Sequence, residues 1–313
     1  MGFVSKRLLL RSTKQGSVNL LFAWGSNSNG RLGLGNTTNY SSPVQVGSLS
    51  WSQVAAGDSH TVAIRSDGAL FAWGYNLTGA LGNGNTTTNY SSPVQVGSLS
   101  WSQVAAGNQF TLAIRSDGAL FAWGYNVYGQ LGLGNTTNYS SPVQVGSLSW
   151  SQVSTRVYHT LAIRSNGALF AWGSGSNGLL GLGNITGYSS PVQVGSLSWS
   201  QVSTGIQHTV AIRSDGALFA WGYNVYGGLG NGNTTTYSSP VQVGSLSWSQ
   251  VSTGDHFSLA IRSDGALFAW GRNDTHGQLG LGNTTNYSSP VQVGSLSWSQ
   301  VAGGFFHTLA IRA

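Results

Sequence analysis

The sequence Leu-Phe-Ala-Trp-Gly, first seen at residues 21–25, decides the fold of this chain because it recurs six times. Its tryptophan stands at positions 24, 73, 123, 172, 221 and 270, so the copies are 49 or 50 residues apart. A second block, Tyr-Ser-Ser-Pro-Val-Gln-Val-Gly-Ser-Leu-Ser-Trp-Ser-Gln-Val, occurs six times without a change, starting at Tyr40, Tyr90, Tyr139, Tyr188, Tyr237 and Tyr287. A repeat near 49 residues is typical of one blade of a β-propeller.

Four strands, A to D, can be assigned within each repeat. Strand A begins at 52–55, strand B covers 60–65, and the Ser-Asp-Gly at 66–68 forms a hairpin turn in which glycine can take positive φ. Strand C, residues 69–73, is apolar without alternation, which is typical of a strand buried on both faces. Strand D, residues 43–46, begins with a proline, and a residue that cannot donate to the ladder favours an edge.

The first and last repeat elements are incomplete and complementary. The chain enters the pattern at strand C, residues 21–24, and leaves it at strand B, residues 307–312. The two termini would therefore supply one composite blade and close a ring, which removes exposed strand edges. The sequence predicts an all-β, six-bladed β-propeller of four-stranded antiparallel blades over residues 20–313, expected to be a monomer.

The composition supports an all-β fold with many turns. Charged residues are 6% of the chain, which has no Glu at all, and 46 of its 313 residues are glycine. Long soluble helices are rich in Glu, Lys and Arg, so a helical fold is excluded. The absence of cysteine excludes disulfides, cysteine-ligated zinc and a cysteine nucleophile.

The net charge of +6 comes mainly from a basic N-terminal extension at residues 1–19. Its charges are Lys6, Arg7, Arg11 and Lys14, whereas most other arginines recur once per repeat near an aspartate. We interpret it as a solvated tail, so a nucleic acid partner is not expected. No secretory signal and no apolar run of about 18 residues is visible, so neither a membrane span nor secretion is expected and the cytoplasm is the default compartment.

One segment of the third repeat reads Trp123-Gly124-Tyr125-Asn126-Val127-Tyr128-Gly129-Gln130-Leu131-Gly132-Leu133-Gly134 and continues with Pro142, Val145, Val153 and His159-Thr160. It resembles the signature of regulator of chromosome condensation repeats, and the resemblance covers residues 20–313. The near-identical copies indicate a bacterial-type member whose repeats were recently amplified. The resemblance implies a propeller that usually has seven blades; this chain carries six, so either a six-bladed ring forms or another chain makes up the count.

Only some of the functions known in that family fit the residues of this chain. Members include a guanine nucleotide exchange factor that acts through an inserted β-wedge, but no repeat here has an insertion longer than one residue. They also include a UV-B photoreceptor whose Gly-Trp-Arg-His-Thr motifs are absent here, and an inhibitor that binds a β-lactamase through one face. The resemblance therefore implies a non-enzymatic binding protein, since fold alone does not choose a function.

The histidines and acids give no catalytic or metal site. Four histidines occupy equivalent positions, and Phe110 and Phe257 replace them in the other two repeats, which indicates a packed structural position. The four are His60, His159, His208 and His307. Asp274 and His276 are a local acid–base pair without a serine or cysteine partner at a recognisable spacing. We expect no catalytic residue, no metal and no cofactor.

Differences among the repeats concentrate in the A–B loops and in the C–D loops, which an antiparallel meander places at the same end of a blade. The B–C turns and D–A links are nearly invariant. Tyrosine, arginine and phenylalanine are frequent interface anchors. Because the variable set is rich in them, we predict partner contacts there and expect these side chains to be exposed on one continuous face. The candidates are Tyr75, Tyr125, Tyr128, Arg156, Tyr158, Tyr223, Tyr226, Arg272, Phe305 and Phe306.

The sequence thus favours a binding propeller that contacts a protein partner through its variable loops. One alternative is a lectin-like propeller that binds glycans in aromatic pockets between blades, with the repeats giving multivalency. A third interpretation is an amplified or constructed repeat scaffold with no evolved ligand, which the invariant fifteen-residue block supports.

Overall fold

The computed structural model describes residues 18–274 and 276–313, together with the backbone of residues 8 and 9. The chain forms two compact units, Met1–Val153 and Ser154–Ala313. The charges of the predicted extension, Lys6, Arg7, Arg11 and Lys14, lie outside the described residues. Within the described part, no helix is long and apolar enough to cross a membrane.

Almost all regular structure is β-strand. The strands are β1 (Leu8–Leu9), β2 (Phe22–Gly25), β3 (Tyr40–Gln45), β4 (Trp51–Ala56), β5 (His60–Arg65), β6 (Ala69–Gly74), β7 (Tyr90–Ala106), β8 (Phe110–Arg115), β9 (Ala119–Gly124), β10 (Tyr139–Thr155), β11 (His159–Arg164), β12 (Ala168–Gly173), β13 (Tyr188–Thr204), β14 (His208–Arg213), β15 (Ala217–Gly222), β16 (Tyr237–Thr253), β17 (Phe257–Arg262), β18 (Ala266–Gly271), β19 (Tyr287–Gly303) and β20 (Thr308–Arg312). Two short 3₁₀ turns lie at Ser28–Gly30 and Ser176–Gly178.

Strands that follow one another in sequence pair antiparallel, as the predicted meander requires. In the first unit, β5 pairs with β6 from His60↔Gly74 to Ile64↔Leu70. Strand β6 pairs with the first half of β7, and the second half of β7 pairs with β8. The second unit repeats this order from β11 to β20. The predicted all-β fold with repeated antiparallel strands is therefore confirmed.

The outer strand of one repeat and strand A of the next were expected as separate strands, and in five repeats they form one strand of 17 residues. Gly97, with φ of +60°, lies inside β7, and the register with β6 shifts across this region. A residue without Cβ can take this backbone conformation without strain, so the chain changes partners without leaving the extended state. In the first repeat β3 and β4 remain separate.

Two tryptophans per repeat form the core of each blade. Trp101 of strand A contacts the edge of Phe121 at 5.4 Å between ring centroids and lies 6.1 Å from Trp123 of strand C. The Trp123 indole N–H donates to the Ala80 carbonyl of the preceding repeat at 2.9 Å, so it also joins neighbouring repeats. Equivalent contacts are made by Trp199, Phe219 and Trp221 in the second unit.

Ring closure is not seen among the described strands, and the composite blade and the count of six blades stay predictions. Strands β2 and β3 pair with each other as a separate two-stranded sheet, and β20 pairs with β19. Trp24 of β2 is 52% exposed and Leu309 of β20 is 62% exposed, whereas their equivalents in complete repeats are buried. The expectation rested on the complementarity of the two ends, which sequence alone does not show to be satisfied within one chain.

A short pairing of the N-terminal segment was not predicted. The backbone of Leu8–Leu9 lies antiparallel to β4, with Leu8 opposite Val54 and Leu9 opposite Gln53. This segment therefore adds a two-residue strand beside strand A of the first complete repeat.

Candidate functional site

The two variable loops of a repeat lie together, as predicted. The Tyr75 amide of a C–D loop donates to the Ser59 carbonyl of an A–B loop at 2.9 Å, and the same bond joins Tyr223 to Gln207 in the second unit. At the opposite end of the blade, the Trp101 amide donates to the Gly68 carbonyl, which joins a D–A link to a B–C turn. We call the first the variable end and the second the constant end.

The constant end carries the same ion pair in four repeats. Arg65 contacts the Asp67 carboxylate at 2.5 Å, and its guanidinium carbon lies 5.2 Å from the centre of the Phe71 ring. The arginine hydrogen bond lowers the pKa of Asp67 to about 2. Asn166 replaces the acid in one repeat and still accepts the Ala168 amide at 3.2 Å. These groups stabilise a turn, and the copies are Arg115/Asp117, Arg213/Asp215 and Arg262/Asp264.

At the variable end a buried asparagine organises the C–D loop. The Asn224 side chain accepts the Leu229 amide at 2.9 Å and donates to the carbonyls of Asn233 and Thr235 at 3.0 and 2.9 Å. Asn76 and Asn126 make equivalent bonds in the first unit. Because these bonds lie beneath the loop surface, they fix the backbone from which the variable side chains project.

Three of the four repeated histidines are buried packing groups that join neighbouring repeats, namely His60, His159 and His208. The fourth, His307, is exposed, so the packed position predicted for it was wrong. His60 Nε2 lies 2.9 Å from Thr111 Oγ1, and burial lowers the pKa of His60 to about 4. His159 makes the same contact with Thr209 at 3.2 Å, and burial lowers its pKa to about 3. Both rings are neutral and hydrogen bonded inside the protein, which agrees with the structural role inferred from Phe110 and Phe257.

The candidates of the first unit are three tyrosines with different exposure. Tyr75 and Tyr125 are half-buried where the two loops meet, while Tyr128 is 45% exposed. The Tyr128 amide donates to Gln130 Oε1 at 2.9 Å, which holds the loop around it. In the same loop class, Thr78 Oγ1 donates to the Gln109 carbonyl of the next repeat at 3.0 Å.

In the second unit the structure brings several candidates together around Arg272. Its guanidinium carbon lies 5.0 Å from the centre of the Tyr226 ring and 5.7 Å from that of Phe306. Its Nε donates to Asp274 Oδ1 at 3.0 Å. Phe306 contacts Phe305 edge-on at 4.5 Å between centroids. Arg272 is therefore held in one position by aromatic faces and a carboxylate, and 23% of its side chain remains accessible.

A buried acid that the sequence interpretation missed lies beside Arg272. Asp255 is 4% exposed, with its Oδ2 3.9 Å from Arg272 Nη1 and its Oδ1 3.8 Å from His256 Nε2. Burial raises the pKa of Asp255, while the charges of His256, Arg156 and Arg272 act in the opposite direction. Burial lowers the pKa of His256, whose ring lies 5.2 Å from that of Tyr226.

Arg156 was expected to be exposed, and it is 2% exposed. The equivalent position is glycine in the other repeats. At Gly205, for example, an added Cβ would come within 2.5 Å of the His208 ring, so the site favours glycine. A side chain there enters a crowded interior where strand A ends. The Arg156 guanidinium carbon lies 5.8 Å from the centre of the Phe305 ring, and its charge acts on Asp255. It is therefore an internal part of the site.

Of the two remaining candidates, Tyr223 lies beside this group. Tyr223 is half-buried, 5.7 Å from the His256 ring, and Tyr158 is half-buried in the A–B loop of its own repeat. His276 is exposed and stacks on Phe306 at 4.7 Å between ring centroids. We use the name Arg272 cluster for Arg156, Tyr223, Tyr226, Asp255, His256, Arg272, Phe305 and Phe306. An alignment of the six repeats could have indicated this cluster. Asp255 and Phe305 occupy equivalent positions, and that position directly follows the one held by Arg156.

Comparison with solved structures shows the same fold in other proteins. Human WBSCR16 matches with a TM-score of 0.86 and 23% identity over 99% of this chain and 84% of that one. Yeast RCC1 (Prp20), solved bound to Kap60, matches with a TM-score of 0.82 and 22% identity over 98% of this chain and 84% of that one. The ectodomain of the Physcomitrella patens receptor kinase CR4 matches with a TM-score of 0.53 and 16% identity over 81% of this chain and 57% of that one.

Comparison of sequences gives a family but no individual relative. No curated protein matches the chain. The family model described as RCC1-like domain matches residues 20–313, the whole of the repeat region. Together with the meander of strands and the repeated tryptophan pairs, this match shows that the chain belongs to the family of RCC1-like domains.

Proposed function

We propose that this chain is a non-enzymatic binding module that recognises a protein segment through the variable end of its blades. The observation that carries the proposal is the Arg272 cluster, in which charged and aromatic side chains from four repeats meet in the second unit. Aromatic residues and arginine give large contact area and directional donors at interfaces. An arginine already fixed by its neighbours loses little side-chain entropy when a partner binds.

The constant end supplies the contrast that supports this choice. In four repeats its arginine pairs with an aspartate in the same geometry, so these pairs do not distinguish one repeat from another. The Arg272 cluster has no counterpart among the other described repeats. A partner that binds one site on a repeated protein needs such a unique position.

Two solved structures with this fold are consistent with a binding role. One describes yeast RCC1 (Prp20) bound to Kap60, and another describes the binding of Prp20p from Saccharomyces cerevisiae to Gsp1p and histones. By that likeness we extend only protein binding to this chain, and we assign it no particular partner.

A phage-displayed peptide library selected on the immobilised chain tests the proposal. The first test variant is Arg272→Gln with Tyr226→Ser, and the second is Tyr125→Ser with Tyr128→Ser. The matched control is Arg262→Gln with Asp264→Asn at the constant end. We expect peptides enriched on the parent to bind the control equally and to lose most of their binding to the first variant.

A glycan array probed with the same proteins separates the alternatives. Peptide binding that survives both loop variants but not the control would place the site at the constant end. Glycan binding without peptide enrichment would favour the lectin-like interpretation. Neither peptide nor glycan binding would favour a repeat scaffold without an evolved ligand.

A further inference from the structure

Two C–D loops of this chain have the same sequence and different surroundings. The hexapeptide Gly-Tyr-Asn-Val-Tyr-Gly occurs at 124–129 in the first unit and at 222–227 in the second. In both loops the buried asparagine accepts the amide of the leucine five residues later at 2.9 Å. Both loops also expose their valine, Val127 at 46% and Val225 at 53%. Any difference in what the two loops bind must therefore come from the residues around them.

Arg272 distinguishes the surroundings of the second loop. Its guanidinium carbon lies 5.0 Å from the centre of the Tyr226 ring. The five other repeats carry serine or tyrosine at the position of Arg272. Tyr226 is half-buried, whereas its equivalent in the first loop, Tyr128, is 45% exposed. The second loop thus presents an exposed apolar side chain, Val225, followed directly by a ring that lies beside a cation.

One edge of the Arg272 guanidinium is oriented for a ligand. Its Nε donates to Asp274 Oδ1 at 3.0 Å, and its Nη1 lies 3.9 Å from Asp255 Oδ2, which is beyond hydrogen-bonding distance. Among the described residues, none accepts a hydrogen bond from Nη1 or Nη2 of Arg272. The side chain keeps 23% of its surface accessible. Two N–H groups side by side match the two oxygens of a carboxylate.

The charges around Arg272 favour a ligand with a single negative charge. Arg272 already pairs with Asp274, and Asp255 lies in the field of both Arg156 and Arg272. The two arginines are thus matched by two acids, and the cluster has no large positive excess. A phosphate dianion on Arg272 would be repelled strongly by Asp274, whereas a carboxylate brings half of that charge.

We propose that the Arg272 cluster binds an acidic residue that lies within two residues of an apolar residue in a protein segment. The carboxylate binds the Nη edge of Arg272, and the apolar side chain contacts Val225. This inference rests on the proposed function and names the chemistry of the segment that is bound. Charge-assisted hydrogen bonds select the acid, and contact with Val225 removes apolar surface from water.

A synthetic peptide array tests this chemistry. Each member is a Gly-Ser dodecapeptide in which two central positions, adjacent or separated by one residue, run through all residue types and phosphoserine. The probe is the biotinylated chain bound to tetrameric streptavidin, because multivalency makes weak binding measurable. We expect members that combine Asp or Glu with Leu, Ile, Val or Phe to bind about tenfold more strongly than the matching Asn or Gln members.

Four variants assign the two contacts. Arg272→Gln should abolish the preference for acid over amide, and Arg272→Lys should keep part of it, because lysine retains the charge without the paired donors. Val225→Ser should weaken binding about fivefold without changing the ratio of acid to amide binding. Val127→Ser, in the loop of identical sequence, is the matched control and should change neither quantity. Circular dichroism establishes that each variant is folded.

The outcomes separate this inference from the proposed function. Binding that is lost in Arg272→Gln with Tyr226→Ser but does not distinguish acids from amides overturns the inference and leaves the proposed function intact. An acid preference that persists in Arg272→Gln, or a preference for phosphoserine over Glu, also overturns it. If the chain enriches phage-displayed peptides and binds no array member, the inference alone fails. If it enriches no peptide at all, the proposed function fails.

Discussion

The two ends of a blade are built from the same polar residue types and use them in opposite ways. At the constant end, Arg262 and Asp264 form an exposed pair that repeats unchanged in other blades. At the variable end, Asp255 is buried beside Arg272 and within the field of Arg156, and the arrangement occurs once in the described structure. An exposed pair gains little because water screens it, whereas a buried charge depends strongly on its partners. The residues that repeat therefore determine the fold, and the residues that differ among repeats form the candidate site.

The largest change in the free energy of unfolding should come from protonation of the buried histidines that lie beneath the variable end. The pKa of His60 is about 4 when folded and near 6.5 when unfolded, so the unfolded chain binds the extra proton between these values. Stability should therefore fall as pH falls from about 6.5 to about 4, by up to about 3 kcal/mol for this residue. Urea unfolding at pH 7.5 and pH 4 measures the loss.

His60→Phe with His159→Phe should reduce this acid loss, because Phe110 and Phe257 already occupy the equivalent positions of other repeats. His276→Gln, at an exposed histidine, is the control and should behave like the parent. The carboxylates of the constant end titrate in a separate window, since the pKa of Asp67 is about 2. If the phenylalanine variant keeps the full loss between pH 6.5 and 4, the histidines are not its source.

A smaller change in the free energy of unfolding should follow from removing the charge of the buried acid, Asp255. Asp255→Asn keeps the shape of the side chain but removes the charge that faces Arg156 and Arg272. We expect a loss of about 2 kcal/mol in the free energy of unfolding at neutral pH, because buried cationic groups lose their compensating partner. Chemical denaturation measures it, with Asp264→Asn as the matched exposed control. Equal effects of the two substitutions would contradict the distinction between the ends.

The smallest change in stability is expected for substitutions at the constant end. Asp67→Asn leaves an acceptor for the Ala69 amide, as Asn166 does for Ala168 in the fourth repeat. We therefore expect no measurable change in the thermal unfolding midpoint, and the same for Asp117→Asn. A clear drop in either variant would show that these exposed ion pairs stabilise the blades, and the two ends would then differ less than we infer.

Much of the fold could be predicted from sequence because its determinants are local. Strand β5 has the predicted bounds, 60–65, since β-branched residues precede a Ser-Asp-Gly turn. The joining of outer strand and strand A was missed because Gly97 allows the chain to stay extended where a link was expected. The composite blade stays a prediction, because local sequence does not show whether its matching ends, β2 and β20, meet.

The site was harder to predict, because its contacts join distant repeats. Arg156 and Asp255 are separated in sequence by two repeats, and no local pattern shows that a side chain in a glycine column turns inward. Variation among the repeats did identify Arg272, Tyr226 and Phe306, whose side chains lie together in the structure. Whether all candidate side chains form one continuous face stays a prediction.

The six identical blocks have a consequence for how the chain reaches its native pairings. Strand β6 pairs with Val94 and Gln95 of β7, but the same residue types in the same order lie in β3, β10, β13, β16 and β19. Local sequence therefore cannot distinguish the correct outer strand from five others, and only the lower entropy cost of closing the shorter loop favours it. Folding should pass through misregistered intermediates with one repeat looped out, and these should act as kinetic traps that become more frequent at low temperature, where exchange between them is slow.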